Sequence, residues 1–75
     1  MEAKVLRLRR RREHLDLSRA ESARRAHMNA ATYGQIESGR LVPYDTQLQR
    51  ICLAMQWDPK RGAELLEAAE EVEER

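Results

Sequence analysis

Residues 17–39 read LSRAESARRAHMNAATYGQIESG and contain the start and end signals of two helices. Ser18 followed by Glu21 has the spacing of a capping box, in which the Ser hydroxyl and the Glu carboxylate each satisfy a free backbone amide at a helix start. Leu17, directly before the cap, can pack against the helix that follows. This pattern predicts a helix over residues 18–26.

A second helix begins a few residues later. Asn29 is a favoured N-cap residue, and Gly39 is the residue type that most easily adopts the left-handed conformation after a helix end. The sequence therefore predicts a helix over 30–38, joined to the preceding one by a turn over 27–29. Two capped helices joined by so short a turn form a helix-turn-helix motif.

The residues before this motif predict a helix over 2–14. Its inward stripe follows the i, i+3, i+4 rule and consists of Val5, Leu8, Arg12 and Leu15. Arg12 is the one charged member of that stripe, so it needs a partner wherever the stripe is buried.

Two more helices follow the motif. Asp45 is expected to cap the fourth, whose apolar stripe comprises Leu48, Ile51, Cys52 and Met55. Asp58-Pro59 is an N-cap followed by an N1 proline, which predicts a fifth helix over 59–74. Its apolar stripe comprises Leu65, Leu66, Ala69 and Val72.

Length and composition indicate one all-α domain of five helices. Seventy-five residues suffice for a single domain, and no segment alternates with the period of a strand. We expect a core over residues 5–58, with the C-terminal helix at 59–74. The lone Cys52, the lack of a long apolar run and the lack of a signal peptide predict a cytoplasmic protein without a membrane partner.

Charge is distributed unevenly along the chain. Residues 1–40 carry ten Lys/Arg and five Asp/Glu, a net +5, and residues 41–75 carry four Lys/Arg and eight Asp/Glu, a net −4. The basic half can supply a phosphate-binding surface. Both halves can equally be solvated helix faces, and charge alone does not decide between these interpretations.

Other chemistry has no support in the sequence. His14, His27 and Cys52 lack the spacing of metal ligands, and no nucleophile and base stand in a catalytic arrangement. We expect no enzyme activity, metal, cofactor or small-molecule substrate. Trp57 is interpreted as a core anchor at the end of the fourth helix; the alternative is a stacking platform for single strands.

Residues 17–23, residues 32–40 and Pro43 resemble the Cro/XRE family of helix-turn-helix regulators, which includes the phage repressors. That family reads roughly L-S-Q-x-x-L-A, then T-I-S-x-I-E-x-G, then a proline. The resemblance covers residues 5–58 and implies a lambda-repressor-like domain. It also implies that the second helix of the motif lies in the major groove of duplex DNA.

The resemblance implies a set of DNA-contacting residues. These are Arg19, Asn29, Ala30, Ala31, Thr32, Gln35, Ser38 and Arg40. Some of Arg7, Arg10 and Arg11 are expected to contact phosphates as well. Arg19 replaces the family's glutamine and suits a phosphate, whereas Gly34 costs about 1 kcal/mol in a helix interior. That cost indicates either that a partner approaches the backbone closely at Gly34 or that the helix simply tolerates glycine there.

The resemblance also explains Arg12, because a family arginine on the first helix pairs with the glutamate that matches Glu37. Two core positions are smaller than the family pattern, at Ser22 and Ala26, and one is larger, at Tyr33. A core is filled to nearly crystalline density, so Tyr33 is expected to fill the space left by the small residues. The alternative is a half-exposed Tyr33 that contacts a phosphate.

Together these features predict a small dimeric repressor or controller protein. The dimer interface is assigned to Leu65, Leu66, Ala69 and Val72, because helices 1–4 already complete a family core. Two alternatives stay open: an antitoxin that binds DNA and a toxin protein, and a protein-interaction module that has lost DNA readout.

Overall fold

The structure is a computed structural model that describes residues 5–69. Its elements are α1 (Arg7–His14), α2 (Arg19–Arg25), α3 (Ala30–Glu37), α4 (Asp45–Ala54) and a 3-10 helix (Pro59–Leu66). An isolated antiparallel bridge joins Leu6 to Ala68, and the described range contains no strand. The expected all-α fold of five helical segments is confirmed.

The helix starts of the motif are capped as predicted, with one difference. Ser18 Oγ accepts a hydrogen bond from the Glu21 amide at 3.0 Å, and Asn29 Oδ1 accepts one from the Thr32 amide at 2.9 Å. The Glu21 carboxylate does not complete the capping box. It pairs instead with two guanidinium groups one turn further along α2, those of Arg24 and Arg25.

All four α-helices end in a residue with left-handed backbone geometry. These residues are Asp16 (φ 63°), His27 (φ 57°), Gly39 (φ 82°) and Gln56 (φ 57°). Only Gly39 was predicted, because the other three side chains do not mark such a position in a sequence. A side chain in this region crowds the following carbonyl, which costs roughly 1–2 kcal/mol for a non-glycine residue.

Tyr33 lies at the centre of the core. It is the largest fully buried side chain, and the small residues Ser22, Ala23 and Ala26 are buried with it. The interpretation of Tyr33 as a core residue is therefore correct, and the half-exposed alternative is wrong. Trp57 is partly buried against the same core, as expected.

The first predicted helix is too long at its N-terminus. Residues 5 and 6 are not helical, and Leu6 is the extended N-cap of α1. The Arg7 amide donates to the Glu67 carbonyl at 2.9 Å, and the Ala69 amide donates to the Val5 carbonyl at 2.7 Å. These bonds hold the segment before α1 out of the helix.

The same pairing corrects the fifth helix. Helical structure ends at Leu66 and has 3-10 rather than α geometry, so the prediction of a helix over 59–74 is wrong for residues 67–69. Tertiary hydrogen bonding to the N-terminal segment overrides the helical pattern there. Val72 lies outside the described residues.

Backbone groups at other helix ends are satisfied by side chains that the sequence did not identify. Asp45 is the first residue of α4 rather than its cap, and Gln47 Oε1 accepts from the Tyr44 amide at 2.9 Å. Arg50 Nε donates to the Ala26 carbonyl at the end of α2, at 3.0 Å. Arg11 donates to the carbonyls of Met55 and Gln56 at the end of α4, at 2.9 and 3.0 Å.

Candidate functional site

A shallow depression lies between the start of α2 and the exposed face of α3. It is lined by Arg19, Ala31, Gly34, Gln35, Ser38 and Arg40. Helical periodicity brings the α3 residues to one face, and the tight turn of the motif carries Arg19 beside them. Five of the eight residues predicted to contact DNA therefore share one surface.

The remaining three predicted contacts lie at the start of α3. Asn29 and Ala30 are exposed and Thr32 is partly buried. The side-chain oxygen of Asn29, Oδ1, accepts the hydrogen bond that caps α3. The side-chain nitrogen, Nδ2, is therefore the group that can donate to a ligand. The structure thus keeps these residues next to the depression but outside its lining.

The depression combines positive charge with very small side chains. Arg19 and Arg40 supply two guanidinium groups, and Gln35 supplies an exposed amide. A Cβ built on Gly34 meets nothing within 4 Å, so no internal packing requires glycine there. The surface can accept a polyanion closely, with few side chains between it and the helix backbone.

The hydroxyl of Ser38 is partly committed to the fold. It donates to the Gln35 carbonyl at 3.1 Å, in the last turn of α3. To donate to a phosphate, the Ser38 hydroxyl must first give up its hydrogen bond to the Gln35 carbonyl. Arg19 and Arg40 are therefore the better phosphate donors of the depression, because a guanidinium carries five N–H groups.

A buried ion pair fixes the end of α3 to α1. Arg12 Nε and Nη2 donate to the two carboxylate oxygens of Glu37 at 2.8 and 3.0 Å, and Arg12 Nη1 donates to the Leu17 carbonyl at 2.8 Å. The side chains are only 11% and 2% exposed. The hydrogen bond to Glu37 raises the pKa of Arg12, against the opposing effect of burial. The pair expected from the family resemblance is thus present.

Glu37 also contacts a second arginine, which sequence reasoning missed. Arg19 Nε lies 3.4 Å from Glu37 Oε2, although the Arg19 side chain is 58% exposed. The two residues are on different helices and have no characteristic spacing, so only the folded chain shows that they meet.

Two buried hydroxyl groups lie in the same region. Ser22 Oγ and Tyr33 Oη make no hydrogen bond among the described residues. Burial raises the pKa of the Tyr33 hydroxyl, and the charge of Glu37 raises it further. Both groups serve packing rather than a ligand, because neither reaches the surface.

The N-terminal arginines form ion pairs and hydrogen bonds with other residues of the protein. Arg7 pairs with Glu67 at 3.6 Å and Arg10 with Glu13 at 3.4 Å. Arg11 caps α4, and its guanidinium lies 5.4 Å from the centroid of the Trp57 ring. Of the three arginines expected near phosphates, Arg11 is thus the one most firmly held by the fold.

Of the residues assigned to a dimer interface, the three within 5–69 do not share one surface. Leu65 is completely buried in its own core, which makes it wrong as an interface residue. Leu66 and Ala69 are partly buried. Leu66 instead lines an apolar groove with Leu6, Ile36, Gly39, Leu41, Val42 and Pro43, where Val42 is 81% exposed.

Residues 5–69 offer neither a membrane-spanning helix nor a cluster of metal ligands. No helix in this range has both the length and the apolar character needed to cross a membrane. The same residues contain no group of three or more His, Cys, Asp or Glu side chains that could hold a metal ion.

Comparison with known proteins gives two matches. Residues 5–71 match the family described as a helix-turn-helix domain. The fold is similar to that of the DNA-binding domain of the P22 C2 repressor, solved by nuclear magnetic resonance, with a TM-score of 0.73 and 21% sequence identity. The alignment covers 85% of this chain and 87% of that one. No curated protein matches the sequence.

Proposed function

The chain belongs to the helix-turn-helix domain family, and we propose that it is a cytoplasmic, sequence-specific transcriptional regulator that binds duplex DNA. One observation carries the proposal: Arg19, Gln35 and Arg40 line a single depression on the exposed face of α3. In this arrangement α3 enters the major groove. The two arginines contact phosphates on either side, and phosphate contacts fix the position of the helix on the duplex.

Sequence readout in this arrangement depends on few side chains. The Gln35 amide can form two hydrogen bonds to an adenine edge, and the Ala31 methyl can contact a thymine methyl. Asn29 offers its amide nitrogen at the start of the same helix. With so few direct contacts, the shape and deformability of the DNA contribute much of the preference.

The test is selection of bound sites from a pool of random duplex DNA, followed by binding to the selected site at several salt concentrations. We expect an enriched sequence and, for about six phosphate contacts, an affinity that falls roughly a thousandfold between 50 and 200 mM salt. An unenriched pool, or an affinity that does not depend on salt, contradicts the proposal.

Gln35→Ala tests the assignment of the base-reading residue. It is expected to cost about 1–3 kcal/mol on the selected site and to relax the preference at one position. Gln49→Ala is the matched control, because Gln49 is exposed on α4, away from the depression. An unchanged selected sequence for Gln35→Ala refutes the proposed docking of α3.

The regulator is further proposed to act as a homodimer through the apolar groove beside α3. We assign the groove to a second copy of the chain, because a helix-turn-helix dimer presents two recognition helices to half-sites one helical turn, about 34 Å, apart. Leu66 and Val42 line that groove, whereas Leu53 is exposed on α4. Val42→Glu should dissociate the dimer in sedimentation equilibrium, and Leu53→Glu should not. A wild-type monomer that binds a palindromic site as a single copy refutes the dimer and leaves the groove to a different protein, such as a toxin.

A further inference from the structure

The Glu37 carboxylate holds two arginines that face different environments. Oε1 accepts from Arg12 Nε at 2.8 Å, and Oε2 accepts from Arg12 Nη2 at 3.0 Å. Oε2 also lies 3.4 Å from Arg19 Nε. Arg12 is buried beneath the motif, whereas Arg19 is half exposed and lines the depression. One carboxylate thus links the core to the candidate binding surface.

Arg19 occupies a position where a positive charge is unfavourable for the helix itself. It is the first residue of α2, and the exposed amides of a first helical turn repel a cation. The buried Glu37 carboxylate offsets this repulsion, and Arg12 provides the positive charge that a buried carboxylate requires. The contact with Glu37 is made by Nε, and the Arg19 side chain also lines the depression.

Two other exposed arginines, Arg40 and Arg24, lack such an anchor. Arg40 also lines the depression, and its side chain makes no hydrogen bond or ion pair with the other residues of the range 5–69. Arg24 is also ion-paired, but its partner Glu21 is a neighbour on the same helix and is more exposed than Glu37. Arg19 therefore differs from both in having a buried partner on another helix.

We propose that Glu37 is a positioning residue that orients Arg19 toward a DNA phosphate before the duplex arrives. The inference rests on the proposed DNA-binding function and assigns one part of its mechanism. Pre-orientation lowers the side-chain entropy that is lost when an interface forms. Arg19 then contributes through its geometry as well as its charge, whereas Arg40 contributes through charge.

Side-chain relaxation tests the positioning without DNA. In the wild-type protein, the 15Nε order parameter of Arg19 is expected to exceed that of Arg40. Glu37→Gln is expected to lower it to the Arg40 level, and Glu37→Asp, which keeps the charge on a shorter side chain, is the second variant if Glu37→Gln is unfolded. Equal order parameters for Arg19 and Arg40 in the wild type overturn the proposal.

Duplex binding provides a second test, with the selected site as the probe. Arg19→Lys keeps the charge but loses the fixed guanidinium geometry, so affinity should fall about fivefold, equivalent to about 1 kcal/mol, the scale of an exposed ion pair. The salt dependence should stay unchanged, because it reports the number of charges. Arg24→Lys is the matched control and should bind like the wild type.

The outcomes separate this inference from the proposed function. Wild-type affinity for Arg19→Lys, or an equal loss for Arg24→Lys, overturns the positioning role while DNA binding itself stands. A wild-type protein that binds no duplex refutes the proposed function, and the Arg19 order parameters of the wild type and the Glu37 variants then still decide whether Glu37 orders Arg19.

Discussion

Replacing Gly34 with alanine should make the protein more stable. Gly34 is the fifth of the eight residues of α3, and a Cβ at this position meets no atom within 4 Å. No steric cost therefore opposes the gain in helix propensity, which is about 1 kcal/mol for Gly→Ala in a helix interior. For a domain of this size, 1 kcal/mol corresponds to a rise in Tm of roughly 4–8 °C.

The other two glycines are controls with opposite expected signs. Gly39 has a φ of +82°, so Gly39→Ala should destabilise by about 1–2 kcal/mol. A Cβ on Gly62 would lie 2.9 Å from Cys52 Sγ and 3.2 Å from Leu48 Cγ. Gly62→Ala should therefore destabilise by about 1–3 kcal/mol, as overpacking does.

Urea unfolding followed by Trp57 fluorescence gives the free energies, and duplex titration gives the affinities. Gly34→Ala is expected to raise the unfolding free energy and to weaken DNA binding, because its methyl group extends into the depression that includes Gln35. A less stable Gly34→Ala protein refutes the helix-propensity reasoning. A more stable variant with unchanged affinity refutes the close approach of DNA to this part of α3.

Three other perturbations test the core and the helix ends. Glu37→Ala should cost about 3–5 kcal/mol, because the Arg12 guanidinium then loses its carboxylate partner. Arg12→Ala should cost about 3 kcal/mol, because Glu37 then keeps only the half-exposed Arg19. The double variant should lose much less than the sum, and additive losses in urea unfolding would contradict the coupling. His27→Gly should stabilise by about 1 kcal/mol by relieving the positive φ of 57°, and a lower Tm would show that the His27 side chain outweighs the strain. Burial raises the pKa of Tyr33 in the native state, so the unfolded chain releases this proton first and stability should fall as the pH rises above about 10. Tyr33→Phe should reduce that loss between pH 9 and 11, and an unchanged pH profile would exclude Tyr33 as its source.

Features that depend on neighbours within one or two helical turns could be predicted from the sequence alone. Ser18, Asn29 and Asp58 were identified as N-caps because a short polar side chain before a helix bonds an amide two or three residues later. Helical periodicity likewise placed Gln35 on the exposed face of α3 and Ile36 in the core. These interactions are local, so their residues stand at fixed spacings that a sequence displays.

The family resemblance supplied one long-range contact, between Arg12 and Glu37, and it also implied which residues line the candidate surface. Periodicity alone would have left Arg12 without an identified partner. The prediction that Tyr33 fills the space left by Ser22 and Ala26 likewise depended on comparison with the family pattern. A single sequence does not show which small residues pack against a large one.

Contacts between distant parts of the chain became known only from the folded structure. Residues 67–69 are predicted as helix but pair with the segment before α1. Leu65 is predicted at a dimer surface but is buried in the core of the domain. Arg11 caps a helix end 44 residues away, and Arg19 meets Glu37 across the motif. Such contacts have no fixed spacing, because they depend on how all the helices pack together, and packing is not encoded in any short stretch.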